Sequence, residues 1–113
     1  MAKEKRSYVR IKFAEGARYW LTQYPIAEGS LAQDLSERGI RVNLDRFIPV
    51  RSDLDIQFIL PTSSLPIKTK GRVAWIKNIP LSDRFEAGIE LLTDPIAAAS
   101  IRKYINSKRL TEN

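Results

Sequence analysis

LDIQFIL, residues 54–60, puts Leu54, Ile56, Phe58 and Leu60 on one side of an extended chain and Asp55 and Gln57 on the other. A period of two is the mark of a strand with one wet face and one core face. The pattern recurs along the chain. GIRVNL (39–44) opposes Ile40, Val42 and Leu44 to Arg41 and Asn43. IKTKGRVAWIK (67–77) opposes Ile67, Thr69, Gly71, Val73 and Trp75 to Lys68, Lys70 and Arg72. RFEAGIEL (84–91) opposes Phe85, Ala87, Ile89 and Leu91 to Arg84, Glu86 and Glu90. ARYWLTQYP (17–25) is rich in aromatic and β-favouring residues. Alternation repeated this often, with Pro and Gly between the runs, predicts an all-β core: an antiparallel sheet forming a small barrel or sandwich. Closure into a barrel would remove the exposed edges.

The last segment breaks the period. Asp94-Pro95 reads as a helix start, an N-cap acceptor followed by proline at the first helical position. Ala97, Ile101, Tyr104 and Ile105 then share one face at helical spacing, with Arg102, Lys103 and Asn106 turned away. Lys108 and Arg109 lie where the helix dipole favours cations. An amphipathic helix over 95–109, laid against the barrel, is the expectation.

The chain has 113 residues, 43% hydrophobic and 28% charged, which suits one soluble domain with a real core. No apolar run reaches the roughly 18 residues of a membrane span, and no secretory h-region follows the N-terminus, so a cytoplasmic location is expected. Cysteine and histidine are both absent. That excludes disulfides, thiolate or imidazole metal sites, a cysteine nucleophile and the Ser-His-Asp arrangement. Glu86 and Glu90 would stand about 13 Å apart on one strand face, too far for a glycosidase pair. No enzyme, no metal and no cofactor are expected. The net charge of +6 favours an anionic partner.

Two short stretches carry the chemistry. KRSYVRIKF (5–13) holds Arg6 and Arg10 four residues apart in a basic arm spanning residues 1–12, whose first residues are expected to be mobile; the barrel and helix take up 13–113. DLSERG (34–39) contains Asp34, Ser36 and Gly39 as D-x-S-x-x-G. By itself this is a turn: Asp and Ser bond to nearby backbone, and Gly supplies positive φ or lets another group approach.

In combination, R-x-x-x-R, a strand, and D-x-S-x-x-G resemble the PilZ domain family. VNL after the glycine, LDIQFIL, RVAW (72–75), FEAGIEL (85–91) and the helix with Tyr104-Ile105 extend the likeness over about residues 4–108. The resemblance implies a six-stranded antiparallel β-barrel followed by a helix, and a receptor for the second messenger cyclic di-GMP. It further implies that Arg6, Arg10, Asp34, Ser36 and Gly39 bind that ligand, with Lys5 and Arg38 adding charge. The chemistry agrees. An arginine fork matches guanine O6 and N7 bidentately, stacks on base planes and pairs with phosphate, none of which lysine does as well. A carboxylate such as Asp34 could accept the N1–H and amino N–H of a guanine. Ser36 could donate to phosphate or hold the turn, and Gly39 would keep a side chain out of the pocket. Output through an effector protein, controlling motility, biofilm, exopolysaccharide or virulence, is what the family suggests, from a monomer or a ligand-linked dimer.

Other features have plainer readings. Trp75 shares a period-two face with Val73 and is expected in the core; of Tyr19 and Trp20, one must face outward. Lys68, Lys70 and Arg72 form a basic stripe, read as a solvated face. The competing functions are a nucleic-acid-binding barrel using that stripe and the aromatic strand 19–24, whose affinity would fall steeply with salt, and a PilZ-fold adaptor that binds no nucleotide.

Overall fold

A computed structural model describes residues 9–21, 24–63 and 65–111. Seven strands precede one helix: β1 (Arg10–Lys12), β2 (Gly16–Leu21), β3 (Tyr24–Ser36), β4 (Gly39–Leu44), β5 (Asp53–Ile59), β6 (Pro66–Asn78), β7 (Phe85–Leu92) and α1 (Pro95–Thr111). Every pairing is antiparallel. The hydrogen-bonded order runs β2-β5-β6-β7-β4-β3, and β3 returns to β2. The six strands therefore close into a barrel, as the resemblance implies and as one of the two forms left open by the alternation, and β1 is an extra strand on β3.

The alternating sets face inward. Ile40, Val42, Leu44, Leu54, Ile56, Phe58, Leu60, Ala87, Ile89 and Leu91 are all buried. Burial of the Val, Leu, Ile and Phe side chains among them stabilises by roughly 1.5–3 kcal/mol each before entropy is counted. Phe13 packs edge-on against both Phe58 and Tyr104, with centroids 5.7 and 5.9 Å apart. It thereby joins the end of β1, the barrel interior and the helix. The helix begins as expected: the Ala97 amide donates to the Asp94 carboxylate at 2.8 Å. It continues past 109 to Thr111, and Ile101, Tyr104 and Ile105 form its buried face.

β1 alters the expected picture of the arm. Its residues 10–12 are paired in register with β3, as Arg10 with Ser36, Ile11 with Leu35 and Lys12 with Asp34. Ile11 is buried between exposed neighbours, so the same period of two that builds the barrel anchors this segment.

Among the register irregularities of the described strands, two β-bulges bear on the site. Between Ala32 and Asp34 the partner strand advances by only one residue, leaving Gln33 as the extra residue. Between Val73 and Trp75 the same happens, leaving Ala74 extra. A bulge moves every later side chain to the opposite face. Trp75, expected beside Val73 in the core, is for this reason on the outside and 40% exposed.

Candidate functional site

The two motifs meet across strands. The closing pair of the β3–β4 hairpin is Ser36 with Gly39, joined by the two-residue turn Glu37–Arg38. Ser36 is buried, and its hydroxyl both donates to the Gly39 carbonyl and accepts from the Arg38 amide, at 3.4 and 3.3 Å. Its observed role is thus to hold the turn. Arg10 pairs with Ser36 from the other edge of β3, so Arg10, Ser36 and Gly39 stand in one row across three strands.

Gly39 does not have a positive φ. Its lack of a side chain serves a close approach instead. A Cβ placed there would lie 3.2 Å from Arg10 Nη2 and 3.4 Å from the Ile89 carbonyl. Of the two explanations open at sequence level, the structure selects the second.

Asp34 faces outward because of the bulge at Gln33; Ala32, two residues earlier, is in the core. Its carboxylate takes two guanidinium groups. Arg10 Nη1 donates to Oδ1 at 2.5 Å, and Arg41 Nε donates to Oδ2 at 2.8 Å. Arg41 also donates from Nη1 to Glu86 at 2.5 Å, and Lys77 approaches the other Glu86 oxygen at 3.6 Å. Charges of alternating sign therefore run from β1 through β3, β4 and β7 to β6. The hydrogen bond that Arg41 donates to Asp34 holds its guanidinium above its ordinary pKa; burial opposes this and is outweighed, and the charges of Asp34 and Glu86 add to it.

Arg10, Asp34 and Arg41 line a cleft of about 440 Å³ on the outer barrel wall, together with Arg38, Gly39 and Trp75. The Trp75 indole lies on Gly88, where a Cβ would come within 2.2 Å of its Nε1. Gly88 in turn pairs with Arg41, so Arg41, Gly88 and Trp75 form a second row. Both bulges, at Gln33 and Ala74, thus deliver a side chain to one cleft. A half-exposed indole, a guanidinium at the rim and a carboxylate beside it suit a planar, anionic heterocycle.

Of the residues expected at the site, the structure brings together Arg10, Asp34, Ser36, Gly39 and Arg38. Lys5 and Arg6 lie outside the described residues, as does the Trp20 side chain; Tyr19 is buried. Sequence reasoning missed Arg41, Glu86 and Trp75. One signal for Arg41 was available: two residues after Gly39 on the same strand, it had to share the outward face of that glycine. Two of the three residues in the basic stripe are paired, Lys70 with Asp55 at 2.7 Å and Arg72 with Asp53 at 3.1 Å, each directly across the β5–β6 ladder; Lys68 stands opposite Gln57. Among the described residues no group of three acidic side chains could hold a metal, and no helix is long and apolar enough to cross a membrane.

A further ion pair ties the turn to the helix. Arg102 reaches both oxygens of Glu37, Nε at 3.2 Å and Nη2 at 2.9 Å. The hydrogen bond from Arg102 holds the Glu37 carboxyl below its ordinary range, against a smaller opposing effect of burial.

Solved structures with this fold are distant in sequence. The inhibitor of motility MotI/DgrA of Bacillus subtilis superposes with a TM-score of 0.83 at 20% identity, over 98% of this chain and 54% of that one. The PilZ domain with c-di-GMP of YcgR from Escherichia coli gives 0.71 at 15% identity, over 96% of this chain and 95% of that one. The K. pneumonia MrkH–c-di-GMP complex gives 0.79 at 13%, over 97% and 55%. The chain spans about half the length of MotI/DgrA and of MrkH. No curated protein matches. The model of the PilZ domain matches residues 4–107, and with nearly the whole chain inside that match, this protein belongs to the PilZ domain family.

Proposed function

We propose that this chain is a receptor for cyclic di-GMP that works by binding and not by catalysis. The observation that carries the reading is the seating of the Arg10 guanidinium over side-chain-free Gly39 while it touches Asp34 at the rim of a cleft that also contains Trp75. An arginine fork and an aspartate on one rim offer complementary partners to the two edges of a guanine, and the indole offers a stacking plane. Family membership supports the same ligand, as do the c-di-GMP complexes of YcgR and MrkH.

In this reading the arm preceding β1, with Lys5 and Arg6, closes over the bound dinucleotide. Fixing it costs roughly 1–2 kcal/mol per residue, which charge-assisted bonds from Arg6 and Arg10 to guanine and phosphate must offset. The arm and the Glu37–Arg38 turn then present a changed surface to an effector protein in the cytoplasm, with motility, biofilm, exopolysaccharide or virulence as the class of output.

Calorimetric titration tests this with cyclic di-GMP, cyclic di-AMP, GTP and an oligonucleotide at one salt concentration. Binding of the first alone, at micromolar or better affinity, is expected. Equal binding of cyclic di-AMP, or affinity for the oligonucleotide only, would refute it.

A further inference from the structure

Asp34 is held by two arginines that differ in how firmly they are themselves held. Arg10 reaches it from the outermost strand, and its side chain is 48% exposed. Arg41 reaches it from within the barrel wall and is anchored at both ends of its fork, Nε on Asp34 and Nη1 on Glu86. Both carboxylates that grip Arg41 are largely buried, 14% and 17% exposed. Arg41 stands directly opposite Asp34 in the β3–β4 register.

We propose that Arg41 is a positioning residue: it is the fixed counter-charge that keeps Asp34 paired and aimed into the cleft when Arg10 leaves Asp34 for the ligand. The inference rests on the receptor reading above and adds a role that the binding motifs do not contain. Its physical basis is the cost of an unpaired carboxylate in a half-closed site. If Arg10 were the sole cation on Asp34, releasing it to a guanine or phosphate would strand that charge. With Oδ2 retained by Arg41, Oδ1 is the oxygen that Arg10 vacates, and it becomes free to accept an N–H from the ligand. Arginine suits the position because its fork can hold two separate carboxylates at once, which a single ammonium does not reproduce. Glu86 and Lys77 extend the alternating chain and keep Arg41 from turning toward the ligand itself.

The test is a double-mutant cycle on cyclic di-GMP affinity, supported by NMR of arginine Nε–H groups. Arg41→Gln is expected to weaken binding by about tenfold, equivalent to roughly 1.4 kcal/mol. In an Asp34→Asn background the same substitution should change affinity by less than about twofold, because the residue through which it acts is already gone. In the wild-type protein the Arg41 Nε–H resonance, assigned by its loss in Arg41→Gln, should persist at ligand saturation while that of Arg10 shifts. Independent, additive losses in the cycle would overturn the role, as would an Arg41 resonance that moves with the ligand as far as that of Arg10 does. Where Asp34→Asn binds too weakly to titrate, the resonance test decides alone. Absence of binding by the wild-type protein would overturn the receptor reading and this role with it, whereas tight wild-type binding with additive losses would overturn this role only.

Discussion

The guanidinium of Arg10 occupies the space that a side chain at Gly39 would need: the Cβ of any other residue would stand 3.2 Å from Arg10 Nη2. The atom in the way is the far end of a flexible side chain. Gly39→Ala should therefore fold normally, at a cost below about 1 kcal/mol, because φ at this position is not in the glycine region. Its effect should appear in binding, since Arg10 must shift off its seat. Unchanged melting with cyclic di-GMP affinity reduced severalfold is the expected result, read by thermal denaturation and calorimetry on the same sample.

Arg10 and Lys70 provide an internal control. Both are exposed cations in ion pairs with an aspartate. Only Arg10 borders the cleft. Arg10→Ala should weaken cyclic di-GMP binding by about 1–3 kcal/mol, as for loss of a bidentate guanine contact. Lys70→Ala should leave it within about 0.5 kcal/mol, as for ordinary surface substitutions. Equal losses in a titration series would point instead to a diffuse electrostatic site.

Trp75 lies on Gly88 and lines the cleft, with Lys77 Nζ 5.8 Å from its ring centroid. Trp75→Ala should reduce affinity by about 1–3 kcal/mol, the usual worth of a stacked base. Gly88→Ala should do the same indirectly, because its Cβ would fall 2.2 Å from the indole Nε1 and push the ring away. Tryptophan fluorescence offers the direct check: ligand should quench or shift the emission of the wild-type protein, and the Trp75→Ala variant should lose that change.

The Glu37–Arg102 pair links the β3–β4 turn to α1 and predicts a pH dependence. Arg102 lowers the Glu37 pKa below its ordinary 4.5 in the folded protein. A carboxyl with a depressed folded-state pKa contributes stability that is present above the unfolded value and lost as pH falls through the folded one. Melting curves of wild type and Glu37→Gln should differ by a few degrees or less at neutral pH, where exposed pairs contribute little. That gap should close as the pH is taken below 4.5 and on through the depressed folded-state value. A gap that grows on acidification would contradict the assignment.

The sequence carried the barrel because a period of two is a local property. Ile40, Val42, Leu44, Leu54, Ile56 and Phe58 reveal their face from their immediate neighbours, and all are buried. Asp94-Pro95 announces the helix in the same local way. Chain order also brought Arg10, Asp34, Ser36 and Gly39 to notice as a set, and the resemblance supplied the ligand. What the pattern could not contain was the bulges. One inserted residue at Gln33 turns Asp34 outward from a strand whose Ala32 faces the core, and another at Ala74 takes Trp75 out of the core and into the cleft.

Nor could it contain partners set by register. Arg41 reads in isolation as one more outward charge on a strand. It is the centre of the site only because barrel closure places β4 between β3 and β7, with Asp34 opposite it and Glu86 diagonal to it. Alternation fixes which way a side chain points relative to its own strand; which charge it meets depends on contacts distant in sequence, and those exist only once the sheet has closed.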